Sequence, residues 1–198
     1  MRYFLAILLL LCTPAAAAPI EGRAQVIDGD TIAVEGAEAR IRLDAIDAPE
    51  SSQPCFDEAG KRYLCGARAA EALAEMIGRN GRVSCTPKER DKYGRIVAVC
   101  RTGTIELNRE MIRRGWAVEY TKYSDGRYAK DEAEAMAGRR GLWAGSFDLP
   151  WEWRKQRRGG NEPAARLGFA GAALAAAAKA EATTTATSCK SARTCRMP

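Results

Sequence analysis

The stretch Val26-Ile27-Asp28-Gly29-Asp30-Thr31-Ile32, followed by Arg42-Leu43-Asp44-Ala45-Ile46-Asp47-Ala48-Pro49-Glu50, decides the reading of this chain. Apolar and polar residues alternate on either side of Asp28-Gly29-Asp30, the pattern of half-buried strands joined by a tight turn. A second turn is expected at Glu35-Gly36, so residues 23–46 read as three strands. In the third, Ile41, Leu43 and Ala45 share one face, and Arg40, Arg42 and Asp44 share the other. Arg42 therefore points away from the side that packs.

Working outward, residues 67–77 read as a helix with Ala70, Leu73, Met76 and Ile77 on one stripe, stopped by Asn80-Gly81. Strands are expected over 82–85 and 96–100, joined through Lys92-Tyr93-Gly94. Asn108 has the chemistry of an N-cap for a short helix ending before Gly115, with Leu107 and Ile112 as a hydrophobic staple. A third helix, 129–140, ends at Gly141, and Trp143 is placed to close the core behind it. Three strands, a helix, two strands and two helices make an α+β domain. This pattern alone fits a closed OB-like barrel and an open antiparallel sheet equally well.

Thirty-one Lys and Arg against 25 Asp and Glu give a net charge of +6 and a pI near 9.0. That balance suits a polyanionic partner and also an ordinary solvated surface. The chain has no histidine. Ser-His-Asp catalysis, His-ligated zinc and imidazole acid–base chemistry are thereby excluded. Hydrolysis, if present, must run on carboxylates, arginine, tyrosine, lysine or an oxygen-held metal.

The ends differ from the middle. Residues 1–17 read as a secretory signal: Arg2, an apolar run over 3–12, then alanines, with cleavage before Ala18. The run is shorter than the roughly 20 residues a membrane span needs, so no stable membrane insertion is expected after signal removal. Leu11 before Cys12 disfavours lipoprotein processing. Residues 20–153 form the expected domain, and 154–198 a basic, then alanine-rich flexible tail. Removing Cys12 leaves Cys55, Cys65, Cys85, Cys100, Cys189 and Cys195, an even set that implies disulfides in an exported chain. Local pairing is the simplest of the possible connectivities: Cys85–Cys100 across a hairpin, Cys55–Cys65 closing a loop after Glu50, and Cys189–Cys195 in the tail. No CxxC spacing supports a zinc site.

Taken singly, the polar residues are unremarkable: Asp28-Gly29-Asp30 is a turn, Glu50 a loop acid, and each arginine a surface cation. Together with Asp91-Lys92-Tyr93-Gly94-Arg95 they become specific. Acids suit a hard cation, guanidinium groups meet phosphate oxygens as forks, and a glutamate can handle the proton of an attacking water. In type, spacing and order these elements resemble the staphylococcal nuclease (thermonuclease) family over residues 25–143, as an exported bacterial-type member with extra cysteines.

The resemblance implies a five-stranded OB-like β-barrel with three helices. It implies Ca²⁺ held by Asp30, Asp47 and the main-chain oxygen of Ala48, with Asp28 in support. The Ala48 position is a threonine in the archetype, a change of small consequence for a backbone ligand. Arg42, Glu50 and Arg95 take the catalytic positions. Lys92 and Tyr93 match positions that touch a terminal phosphate, and Tyr120 or Tyr123 is a candidate for stacking on a base. The expected protein is a monomeric, exported, periplasmic or secreted nuclease that cleaves DNA and RNA to products with 3′-phosphates. A non-catalytic nucleic-acid-binding OB module and a cysteine-stapled envelope protein are the alternatives. The loop over 51–66 and the tail depart from the family pattern.

Overall fold

Alternation about the Asp-Gly-Asp turn becomes a hairpin of β1 (Ile20–Asp28) and β2 (Thr31–Val34), with Asp28 opposite Thr31. In the computed structural model, which describes residues 18–159, β3 (Ile41–Leu43) returns along β2. The short strands β4 (Ile46–Asp47), β5 (Pro54–Phe56) and β6 (Arg62–Leu64) precede helix α1 (Cys65–Ile77). A second hairpin, β7 (Arg82–Arg90) and β8 (Ile96–Thr102), carries the short β9 (Ile105–Glu106) at its edge. Then follow α2 (Leu107–Arg113), β10 (Val118–Glu119), α3 (Thr121–Ser124), α4 (Ala129–Ala137), a 3₁₀ turn at Gly141–Ala144 and α5 (Pro150–Gly159).

The sheet order is β3-β2-β1-β7-β8, and β3 pairs back onto β8, closing a five-stranded barrel. The closing pair is parallel, with Arg42 opposite Val97, while the other pairs in the ring are antiparallel. A closed ring leaves no barrel edge exposed among these strands. The α+β, OB-like architecture is thus the one expected, and the open-sheet alternative is not the structure adopted.

Five α-helices are described where three were expected. The extra two are α3, a four-residue turn too short for periodicity to register, and α5, which begins at Pro150 and carries Glu152 early and Arg157 and Arg158 late. These are ordinary helix-end signals. The basic run read as the start of a flexible tail is therefore helical through Gly159. Residues 1–17, with the expected signal, and the proposed Cys189–Cys195 pair lie outside the described residues. Among the described residues, no helix is long and apolar enough to cross a membrane.

Inside the barrel, Ile32, Ile41, Leu43, Cys85, Ala98 and Cys100 are fully buried, capped by Leu73 of α1 and by Met111 and Ile112 of α2. The buried stripe of α1 runs through Ala69, rather than Ala70, with Leu73 and Met76. A second cluster forms outside the barrel around Cys55, Cys65, Val118, Leu142, Trp143 and Phe147.

Two local readings are corrected. The third strand does not continue to Ile46: Ala45 adopts φ of +64°, making a turn between β3 and β4. That conformation is uncommon for a residue with a Cβ. It is fixed from outside, by Tyr120 N–H donating to the Ala45 carbonyl at 2.9 Å and Asn108 Nδ2 to the Asp44 carbonyl at 3.0 Å. Asn108 is consequently not an N-cap. It is buried, and its Oδ1 also accepts from Cys100 N at 2.9 Å, tying α2 to the barrel and to the turn.

Both expected disulfides within the domain are formed, Cys55–Cys65 and Cys85–Cys100. The second joins residues directly opposite in the β7–β8 register, at a Cα–Cα distance of 4.0 Å. Replacing Cys85 and Cys100 together by alanine is expected to cost roughly 2–4 kcal/mol in equilibrium denaturant unfolding, since the loop constraint on the unfolded chain is lost. An unchanged transition midpoint would contradict this.

Candidate active site

The turn at Gly29 delivers Asp30 into a crowded corner. A Cβ on Gly29 would stand 2.6 Å from Ala69 Cβ and 2.7 Å from Ala48 Cβ, so only glycine lets the turn seat against α1 and the start of the Glu50 loop. Asp28 Oδ1 accepts from Asp30 N at 3.0 Å, which shapes the turn locally. Asp30 itself is buried; its Oδ2 accepts from Ala48 N at 2.7 Å and its Oδ1 from the Thr31 hydroxyl at 3.1 Å.

Arg42 leaves β3 on the outer face, as alternation requires, and its guanidinium bridges the acids. Nη1 donates to Asp30 Oδ1, while Nη2 donates to Asp47 Oδ1 at 2.6 Å and to the Ile46 carbonyl at 3.2 Å. Asp47 is fully buried on β4, held there by pairing with β10. Burial opposes the charge of Arg42, but Asp30 and Asp47 outweigh it and hold the guanidinium more firmly protonated than usual. Asp30 responds the other way: burial, with help from Asp28 and Asp47, pushes its carboxyl well above the usual range despite Arg42.

Glu50 follows Pro49, and its loop is fixed by a residue the sequence did not single out. Gln53 is fully buried; its Oε1 accepts from Glu50 N at 3.3 Å and its Nε2 donates to the Asp148 carbonyl at 2.7 Å. The Cys55–Cys65 bridge closes the same loop, and a Cβ on Gly66 would lie 2.0 Å from the Glu50 carbonyl oxygen. The glutamate is therefore carried on a packed, cross-linked loop. No one-residue motif announces Gln53, because its role depends on a partner 95 positions away.

Arg154 is the second residue that sequence reasoning missed. From α5, its Nη1 donates to Asp47 Oδ1 at 3.1 Å and to Glu50 Oε1 at 2.9 Å, and its Nη2 to Asp47 Oδ2 at 2.8 Å. Asp28, Asp30, Arg42, Asp47, Ala48 and Glu50 are thus brought together, with Arg154 among them.

Arg95, Lys92 and Tyr93 form a neighbouring group on the β7–β8 turn. Arg95 precedes Val97, the residue opposite Arg42, by two positions, so the register puts both arginines on the same barrel face. Asp91 holds the turn: its Oδ2 accepts from Arg95 Nε at 2.7 Å, and its Oδ1 from the backbone N–H groups of Tyr93 and Arg95. Tyr93 is exposed, with Lys92 Nζ 5.0 Å from its ring centroid. Tyr120 directly follows β10, its ring stacked on Trp151 at 5.4 Å, while the half-exposed Tyr123 meets Tyr120 edge-on at 5.0 Å.

The donor set of Asp30, Asp47 and the adjoining backbone is all oxygen, the chemistry of a hard divalent cation. The excess of buried carboxylate around Asp30 also fits a positive ion, which would keep that group ionised. Among the described residues, no three His, Cys, Asp or Glu side chains are gathered into a ready-made metal cage. A cation here would draw on main-chain oxygen and water beside the two buried acids.

Comparison with known proteins decides the lineage. The family described as staphylococcal nuclease homologue matches residues 40–145. The chain belongs to the staphylococcal nuclease family. It is 40% identical over 140 residues to the succinoglycan biosynthesis protein ExoI of Rhizobium meliloti, covering 70% of this chain and 72% of the relative. It is 33% identical over 165 residues to a micrococcal nuclease of Shigella flexneri, covering 76% of this chain and 88% of that protein. A probable staphylococcal-like nuclease CAN1 of rice is 39% identical over 124 residues, 61% of this chain but 34% of the much longer plant protein. The family match ends before Arg154, so the helix that reaches the acids lies beyond the part shared across the family profile.

Asp91 gives the site a testable pH signature. Partial burial raises its pKa, but the Arg95 side chain and the backbone N–H groups of Arg95 and Tyr93 outweigh this and lower it. A lowered folded-state pKa stabilises above the unfolded value of about 3.9 and is lost as pH falls through the folded value. The stability difference between the parent and Asp91→Asn should therefore hold steady from neutral pH down to about 4 and shrink below it. Thermal melts across that range measure it, and a gap independent of pH would contradict the assignment.

Proposed function

We propose that this protein is a Ca²⁺-dependent nuclease hydrolysing phosphodiester bonds in DNA and RNA, acting as a monomer and leaving 3′-phosphates. The observation that carries the reading is the Arg42 fork between Asp30 and Asp47, beside Glu50, in a chain of the staphylococcal nuclease family. Asp30, Asp47 and the Ala48 main-chain oxygen would hold the cation, with Asp28 adding negative charge nearby. Bound there, the cation would polarise a phosphoryl oxygen and offset its developing charge.

Glu50 orients the attacking water and accepts its proton; the packed loop that carries it suits a group that must aim. Arg42 and Arg95 meet the non-bridging oxygens as negative charge grows on phosphorus. Arg95 is tied to Asp91 through Nε alone, which leaves its two Nη groups as a fork for phosphate. Arg42 Nη1 carries a second N–H beyond the one given to Asp30. Lys92 and the exposed Tyr93 take a terminal phosphate in this reading, and the half-exposed Tyr123 stacks on a base, since the Tyr120 ring is already stacked on Trp151. We further propose that residues 1–17 direct export; the two disulfides suit an oxidising destination, periplasmic or extracellular.

Purified protein should degrade plasmid DNA with Ca²⁺, stop on addition of a chelator and work less well with Mg²⁺, whose octahedral demand is stricter. Asp47→Asn should weaken Ca²⁺ binding. Arg42→Lys and Arg95→Lys should each lower turnover by roughly 10²–10³, because lysine keeps the charge and loses the fork. Full activity in chelator would sink the metal-dependent reading. Lysine variants that cut at the parent rate would return the protein to the class of non-catalytic binding modules or place catalysis elsewhere.

A further inference from the structure

Helix α5 engages the site at two independent points. Arg154 places its guanidinium across both carboxylate oxygens of the fully buried Asp47 and onto Glu50 Oε1. Three residues earlier, Trp151 lies flat on Tyr120, with ring planes 6° apart. Leu149 and Trp151 also pack against the cluster around the Cys55–Cys65 bridge, so the helix is seated rather than loosely apposed. The charge of Arg154 is secured by its partners, and each of its contacts is made to a group assigned above to the cation or to the attacking water.

A guanidinium and a divalent cation compete for Asp47 Oδ2. Both seek the same lone pairs, and at contact distance their positive charges repel in a partly desolvated setting. Arg42 meets Asp30 and Asp47 each through Oδ1, so Asp47 Oδ2 is covered by Arg154 and not by Arg42.

We propose that Arg154 is a built-in competitor for the cation, making α5 an autoinhibitory latch across the active site. The inference rests on the Ca²⁺ reading of Asp30 and Asp47. In the latched form, Arg154 neutralises Asp47 and holds Glu50, and Trp151 covers the face of Tyr120. Binding of Ca²⁺ exchanges the guanidinium for the ion and releases the Glu50 carboxylate for water. The released segment carries Lys155, Arg157 and Arg158 besides Arg154, so a polyanionic substrate favours the open form as well.

The test is calorimetric titration of Ca²⁺ into the full chain, comparing the parent with Arg154→Ala and with Arg157→Ala. The control residue sits on the same helix, over the Trp153 ring at 5.0 Å. Circular dichroism checks that each variant is folded. The latch predicts that Arg154→Ala binds Ca²⁺ at least about tenfold more tightly than the parent, while Arg157→Ala binds as the parent does. Equal or weaker binding by Arg154→Ala overturns the latch and leaves the metal reading standing. Equal tightening by both variants also overturns it, because the effect would then be general surface charge. If neither parent nor variants bind Ca²⁺, even with an oligonucleotide present, the metal reading itself fails and the competition with it.

Discussion

The bridge from Arg42 to Asp30 and Asp47 is the constraint on which the rest of the site depends. It joins two chain reversals that would otherwise be independent: the Asp-Gly-Asp hairpin, and the turn at Ala45 that ends β3. Two acids buried side by side repel each other and lose hydration. A guanidinium between them offsets both costs and fixes their separation through directional hydrogen bonds. Removing Arg42 would leave the buried Asp30 without its guanidinium partner, so the residue assigned to transition-state stabilisation also has a structural task. That double duty is why a lysine variant, which keeps the charge, is more informative than alanine.

Around this bridge the fold supplies stiffness in layers. The barrel closes through the parallel β3–β8 pair, the join that sets Arg42 and Arg95 on one face. Asn108 and Tyr120 hold the Ala45 turn from outside, so α2 and β10 contribute to the placement of Asp47 without entering the site. Gln53 and the Cys55–Cys65 bridge do the same for Glu50. In the proposed reaction these supports matter because a water aimed at phosphorus tolerates little positional error.

The parts legible in the sequence were those governed by short-range pattern. The Asp-Gly hairpin, the core of α1, the β7–β8 turn and both disulfides within the domain follow from alternation, turn chemistry and cysteine placement. Barrel closure did not, because a parallel pairing between β3 and β8 leaves no local mark; the family resemblance supplied it. Asn108 has the composition of a cap, but a buried position with three tertiary hydrogen bonds overrode that preference. Arg154 stood in a basic run whose bulk composition resembles a solvated tail. Pro150, Glu152 and the late arginines do signal a helix there, yet nothing local says that one face of it returns to residues 47 and 50.

The central claim is that these acids and arginines perform metal-dependent phosphodiester hydrolysis. Mass spectrometry of a short, defined oligonucleotide after incubation with the protein addresses it most directly, since it reads bond position and end chemistry together. The account predicts fragments ending in 3′-phosphate and 5′-hydroxyl, formed with Ca²⁺ and absent with chelator. An oligonucleotide left intact in the presence of Ca²⁺, or fragments bearing 5′-phosphates, would contradict it.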